Sequence, residues 1–329
     1  MLVAAEEAAN FADFTVPPWV WVAFLAGFMG LLLIDVLVIH RTAHVATTRE
    51  AAIESAVWIA LGLSFSLVIL AWQGGQAAGE YLAGYLIEES LSIDNVFVWA
   101  LILSFFAVPR EYQHRVLFWG IFGALIARAA FIFGGVALLD RFDWVVYVFG
   151  TILLITAVRL LTHGEEEIHP EHNPLLRVFR RIVPSTTEYD GHNLLTRRTG
   201  VLLATPLLAV LVVVETSDVV FAVDSIPAIL AVTREQFVVY TSNAFAILGL
   251  RALYFLLADL KDRFDFLRHG LAVILAFVGV KMMIAEWFHI PVGVSLAVIA
   301  VVLASSVYIS IRYDRAEGGG LEPADLHDD

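Results

Sequence analysis

Apolar residues fall in blocks of about 20 separated by short polar breaks, which is the length a helix needs to cross the hydrocarbon of a bilayer. The blocks lie at 19–40, 52–72, 81–107, 116–138, 144–162, 200–232, 236–258, 270–287 and 292–312. They predict an all-α polytopic membrane protein with nine transmembrane helices, because only helices satisfy every backbone group within one segment in lipid. The one long polar break, 163–198, carries Pro, Gly and many charges and is expected as a surface loop joining two halves.

The halves repeat. Ser92-Ile-Asp94-Asn95-Val-Phe97 aligns with Thr216-Ser217-Asp218-Val-Val-Phe221, and Arg110-Glu111 with Arg234-Glu235, both at an offset of 124. Arg128-Ala-Ala-Phe matches Arg251-Ala-Leu-Tyr at 123, and Asp140-Arg-Phe-Asp143 matches Asp262-Arg-Phe-Asp265 at 122, with Arg159 opposite Lys281. Each copy holds three spans, an odd number, so the copies are expected to cross in opposite directions. Lys and Arg set the orientation: with the N-terminus outside, fourteen fall in cytoplasmic segments, Arg141 and Arg234 fall outside, and Arg128, Arg159, Arg251 and Lys281 fall within spans. The expected order is an acidic tail (1–18), two leading helices (19–80), repeat 1 (81–162), a cytoplasmic loop (163–199), an inverted repeat 2 (200–287), a last helix (288–312) and an acidic tail (313–329). Acids rather than bases open the chain, so no cleaved signal peptide is expected. Inverted repeats are the usual build of secondary transporters, with the site near the midplane.

Composition agrees and narrows the chemistry. The 329 residues are 60% hydrophobic and only 16% charged, with a mean hydropathy of +0.81, far from a soluble domain. Absence of cysteine removes thiolate and iron–sulfur chemistry and leaves oxygen and imidazole as metal-binding groups. A net charge of −13 argues against nucleic acid, which calls for a basic surface. With no phosphate loop and no H-E-x-x-H, an enzyme is not expected, nor is a tightly bound cofactor.

Seven acids lie in or beside spans: Asp35, Glu88, Glu89, Asp94, Glu215, Asp218 and Asp224. Each costs about 2.5–3.5 kcal/mol in the bilayer centre even on the lenient insertion scale, so such residues pair, line water or serve transport. Asp94 and Asp218 sit midway along matched spans, and two carboxylates meeting across a pseudo-two-fold axis repel unless a cation or proton lies between them. Asn95, Ser92, Ser217 and Ser225 add neutral oxygens, and an all-oxygen shell suits Mg, Ca or Mn. Glu215 shares a face with Asp218 at three residues' spacing. Asp224, about 9 Å further along, reaches the same ion only through a break at Pro227; otherwise it is a relay. Competing readings are structural pairing of Asp94 and Asp218 with Arg128 and Arg251, headgroup contact for Glu88 and Glu89, pairing or capping for Asp35, and interhelical hydrogen bonding for Asn243. His163, His169 and His172 with Glu165, Glu166, Glu167 and Glu171 read as solvated loop rather than a metal patch.

Glu89-Ser-Leu-Ser-Ile-Asp94-Asn-Val-Phe and Glu215-Thr-Ser-Asp218-Val-Val-Phe-Ala-Val-Asp224-Ser-Ile-Pro-Ala-Ile resemble the paired signatures of the TerC/Alx family of integral membrane proteins. Val108-Pro-Arg-Glu-Tyr-Gln-His114 and Thr241-Ser-Asn243-Ala-Phe-Ala-Ile-Leu-Gly-Leu-Arg251 add to the likeness. The resemblance implies a multi-pass inner-membrane protein tied to manganese(II) export, with Mn²⁺ as transported ion and membrane-embedded acids as its ligands, here Asp94, Asp218, Glu215 and Asp224, to which the residue reading adds the neutral oxygen of Asn95. Partners would be the divalent ion and the lipid bilayer, with a homo-oligomer left open. Alternatives are a scaffold or partner subunit with structural ion pairs, or a Ca²⁺ or proton transporter.

Overall fold

The computed structural model describes residues 11–35, 47–162, 174–186, 188–191, 193–198, 201–257, 265–285, 287–288 and 290–318. The His/Glu-rich stretch 163–173 and both tail ends lie outside them. The described residues form helices α1 (Pro18–Ile34), α2 (Thr48–Phe105), α3 (Arg110–Arg141), α4 (Val145–Thr162), α5 (Pro174–Ile182), α6 (Pro206–Leu230), α7 (Gln236–Leu257), α8 (Asp265–Ile284) and α9 (Val292–Gly318). A small hairpin pairs β1 (Leu195–Arg198) with β2 (Val201–Ala204) antiparallel. Six of these helices, α2, α3, α4, α6, α7 and α9, are long and apolar enough to cross a membrane; α1 and most of α8 are apolar but shorter.

Thr47 and Glu50 close a reciprocal capping box at the start of α2, satisfying two otherwise orphaned amides. The blocks expected as separate spans, 52–72 and 81–107, run as one helical element broken at Gly74, whose φ of 88° is open to glycine and strained for other residues. Past it the chain folds back. The Tyr81 hydroxyl donates to the Gly62 carbonyl at 2.9 Å, and the Phe65 and Tyr81 rings lie 5.5 Å apart, so the two arms pack antiparallel without an intervening loop.

Three further expectations are corrected. The break anticipated at Pro227 is not there: α6 stays helical through it, and the proline only withholds a donor from the Val223 carbonyl. The span expected from 200 starts as strand and becomes helix at Pro206, where proline suits a first turn. The segment expected as plain loop also holds α5, whose Leu176 is in the core, and Tyr189, whose hydroxyl donates to the Phe106 carbonyl at 2.8 Å.

Packing brings both arms of α2 against α7, α3 against α6, and α4 against α8. The first contact is aromatic, with Phe65 of α2 against Phe245 of α7, and Phe24 of α1 packs on both Phe65 and Phe237. The last is close because Gly150 and Gly279 face each other: a β-carbon on either would sit 3.1 Å from the other's carbonyl oxygen. The perimeter is apolar, with Leu67, Ile126, Ile155 and Val301 exposed, as a lipid-facing surface requires. Trp19, Trp72, Trp144 and Trp287 are exposed near helix ends, where tryptophan favours the membrane–water boundary.

Candidate intramembrane charge site

Small residues let α6 approach α3. Gly120 lies beside Val214, and a β-carbon on Gly123 would collide with the Glu215 carboxylate. Gly120, Gly123, Ala124 and Arg128 follow one helical face at three- and four-residue steps, so the arginine emerges where the backbones are nearest. It is fully buried. Its Nε donates to Asp218 Oδ2 at 3.1 Å and its Nη2 to Oδ1 at 3.0 Å, the two-pronged geometry that suits guanidinium and carboxylate. Its Nη1 contacts Glu88, from the second arm of α2, and approaches Ser225 Oγ at 3.5 Å.

This single guanidinium therefore holds carboxylates from two different helices, and a third, Glu215, lies near enough to Asp218 to feel its charge. Ionised together, three carboxylates against one guanidinium leave a negative excess. Several polar atoms are buried without a hydrogen-bond partner: Glu88 Oε2, then Ser92 Oγ and Asn95 Nδ2 further along the same arm of α2, and Asn243 Nδ2 on α7. Asp94 belongs to the same arm, but its side chain lies outside the described residues. Among the described residues no group of three His, Asp or Glu side chains is placed to hold a metal ion.

The other expected residues divide. Glu88 does not reach headgroups; it is fully buried. Glu89, half-buried, shares a hydrogen bond with Tyr85 one turn earlier. Ser217 returns its hydroxyl to the Val213 carbonyl at 2.9 Å. Asp224 turns toward α4, accepting from Thr156 Oγ1 at 2.8 Å with Arg159 nearby, so the unbroken helix keeps it apart from Asp218. Pairing between Asp218 and Arg251 is absent: Arg251 instead joins Asp35 and, at 3.2 Å, Glu54.

Two acids at helix interfaces, Glu54 half-buried and Glu80 fully buried, were not among the expected residues. Glu54 sits one turn past the Glu50 cap and looks like an ordinary helix-start acid. Glu80 falls in the gap between two hydropathy blocks, where a solvated turn is the natural expectation; it is fully buried, and only the sharp reversal at Gly74 explains why.

An apolar helical bundle with charges sequestered at its helix interfaces defines a polytopic integral membrane protein. The chain belongs to the integral membrane protein TerC family, whose pattern it matches over residues 73–317. It is 48% identical over 299 residues to an uncharacterized membrane protein of Myxococcus xanthus, covering 91% of this chain and 93% of that one. It is 44% identical over 315 residues to Alx of Escherichia coli K12, described as a candidate membrane-bound redox modulator, with 92% and 98% covered. A Rickettsia bellii membrane protein is 36% identical over 291 residues, with 88% and 96% covered. No solved structure matches the chain.

Proposed function

We propose that the protein is a secondary transporter of the inner membrane that exports a divalent cation, Mn²⁺ in the first instance, through the carboxylates around Arg128. The observation that carries this reading is the charge imbalance: Arg128 holds Glu88 and Asp218, Glu215 lies within charge range of Asp218, and the oxygens Glu88 Oε2 and Ser92 Oγ are unpartnered. A purely structural pair needs one acid per base, and surplus buried charge is expensive. In this reading Asp94 and Asn95 complete the ligands, Asp224 serves as a relay toward α4, and protons returning to the emptied carboxylates drive export.

The contacts support a two-fold relation between the repeats; the orientation with the N-terminus outside rests on the distribution of Lys and Arg. Exchanging the repeats turns the packing of α2 on α7 into that of α6 on α3, and leaves the packing of α4 on α8 as it is. The redox description carried by Alx comes to this chain only indirectly, since it has no cysteine; a change in manganese supply is the route we favour.

Efflux of Mn²⁺, Ca²⁺ and Mg²⁺ from vesicles containing only this protein tests the reading. Asp94→Asn and Glu215→Gln should abolish Mn²⁺ flux with the protein still inserted. Unchanged flux in both refutes the site.

A second reading has its own observation. Arg128 and Asp218 are locked by two hydrogen bonds, as a scaffold's structural pair would be. A scaffold tolerates replacing both with neutral residues, whereas the transporter loses flux.

A further inference from the structure

The second arm of α2 carries more than Glu88. Glu80, Gly84, Glu88, Ser92 and Asn95 follow one another at steps of four, four, four and three residues, which keeps them on one side of the helix. All four polar members are buried, and Glu80 Oε2, Glu88 Oε2, Ser92 Oγ and Asn95 Nδ2 have no hydrogen-bond partner. Gly84, between the two glutamates, lies against Ser242 and Ile229: a β-carbon there would be 3.0 Å from Ser242 Oγ and 3.3 Å from Ile229 Cγ2. A polar seam thus climbs from the Arg128 cluster to the Gly74 end of the bundle, spanning about 12 Å between Glu88 and Glu80.

At that end the chain's own N-terminal segment lies across the seam. The Ala12 amide donates to Glu80 Oε1 at 2.7 Å, and the Phe14 amide donates to Glu235. Phe14 packs edge-on against Trp72 at 5.6 Å, and the Arg234 guanidinium sits 5.6 Å from the Phe11 ring centroid. Thr233 and Gln76 also donate to Glu80, and Lys281 neighbours it in charge. Glu80 therefore binds a backbone amide of the N-terminal segment in place of solvent.

We propose that this seam is the outward half of the cation route, with Glu80 as its outer station, and that residues 11–16 form a strap closing it in this conformation. The inference rests on the transport reading above. A cation leaving the Arg128 cluster passes Ser242 and reaches Glu80, whose carboxylate is released to it when the strap's amide lets go.

The absence of cysteine gives a blank background for the test. In full-length protein reconstituted in vesicles, Glu80→Gln should slow Mn²⁺ flux at least tenfold while equilibrium binding of Mn²⁺ stays within twofold, and Glu80→Asp should recover part of the flux. Separately, Ser242→Cys should react slowly with a membrane-impermeant thiol reagent added on the N-terminal side. Adding Ala12→Pro, which removes the amide donor, should speed that reaction at least fivefold. Wild-type flux in Glu80→Gln, or labelling that Ala12→Pro does not alter, overturns the inference. No Mn²⁺ flux in the unsubstituted protein would defeat the transport reading instead, and the labelling comparison would still decide whether the strap closes the seam.

Discussion

Replacing Arg128 with glutamine takes away the only cation among the described residues in contact with both Glu88 and Asp218, and leaves Glu215 close to Asp218. Breaking a buried pair from one side costs about 3–5 kcal/mol, because the remaining charge stays desolvated. Three acids without a base put this substitution at the upper end of that range. A divalent ion is the natural replacement for the missing guanidinium, and a ligand held at a hundred times its Kd stabilises by about 2.7 kcal/mol. Thermal unfolding of the full-length protein in detergent, followed by tryptophan fluorescence with EDTA and then with Mn²⁺, measures both effects. Arg128→Gln should melt well below wild type in EDTA and regain more than half of the loss in Mn²⁺, a larger gain than wild type shows. Arg128→Lys, keeping the charge without the fork, should fall between them. If Arg128→Gln matches wild type in EDTA, the electrostatic account is wrong. If it is destabilised but gains no more from Mn²⁺ than wild type, the cluster is structural and not a cation site.

Gly123→Ala should leave the fold intact while displacing the flexible end of Glu215, so Mn²⁺ flux should drop with little change in melting temperature; equal flux would show that Glu215 is a bystander. Gly150→Leu should separate α4 from α8 and destabilise by about 1–3 kcal/mol through overpacking, read by thermal unfolding. Arg251→Gln should lower stability by leaving Asp35 and Glu54 facing each other, and adding Asp35→Asn should recover part of it. Tyr189→Phe, which loses the hydroxyl's bond to the Phe106 carbonyl, should cost about 1 kcal/mol and speed protease cleavage between Val183 and Leu194.

Hydropathy made the helical membrane class legible because lipid imposes one rule on every spanning segment: its length and its lack of charge. Asp218, Glu215 and Arg128 were legible as well, since an ionised group in such a segment needs a reason to be there. What stayed hidden was pairing. Matched positions suggested Asp218 with Arg251, yet the bundle sets Arg128 of α3 against Asp218 of α6 and sends Arg251 to Asp35 and Glu54. Spacing along a chain says which residues share a face, not which face a neighbour offers. Pro227 misled for a related reason: its missing amide harms only one carbonyl, and packing along α6 outweighs that. Gly74 gave no warning, because a glycine pair beside Gln73 and Gln76 looks like any turn until its tightness is seen.

That reversal has a mechanical consequence. With no loop to absorb motion, the two arms of α2 are coupled like the limbs of tweezers. The arm bearing Glu80 and Glu88 cannot slide without tugging Trp58 on the other limb, which rests against Gly249 of α7. A shift of one helix turn at the acids would thus be transmitted at once to α7, and lengthening the bend by a few flexible residues should uncouple the two arms while leaving each able to fold.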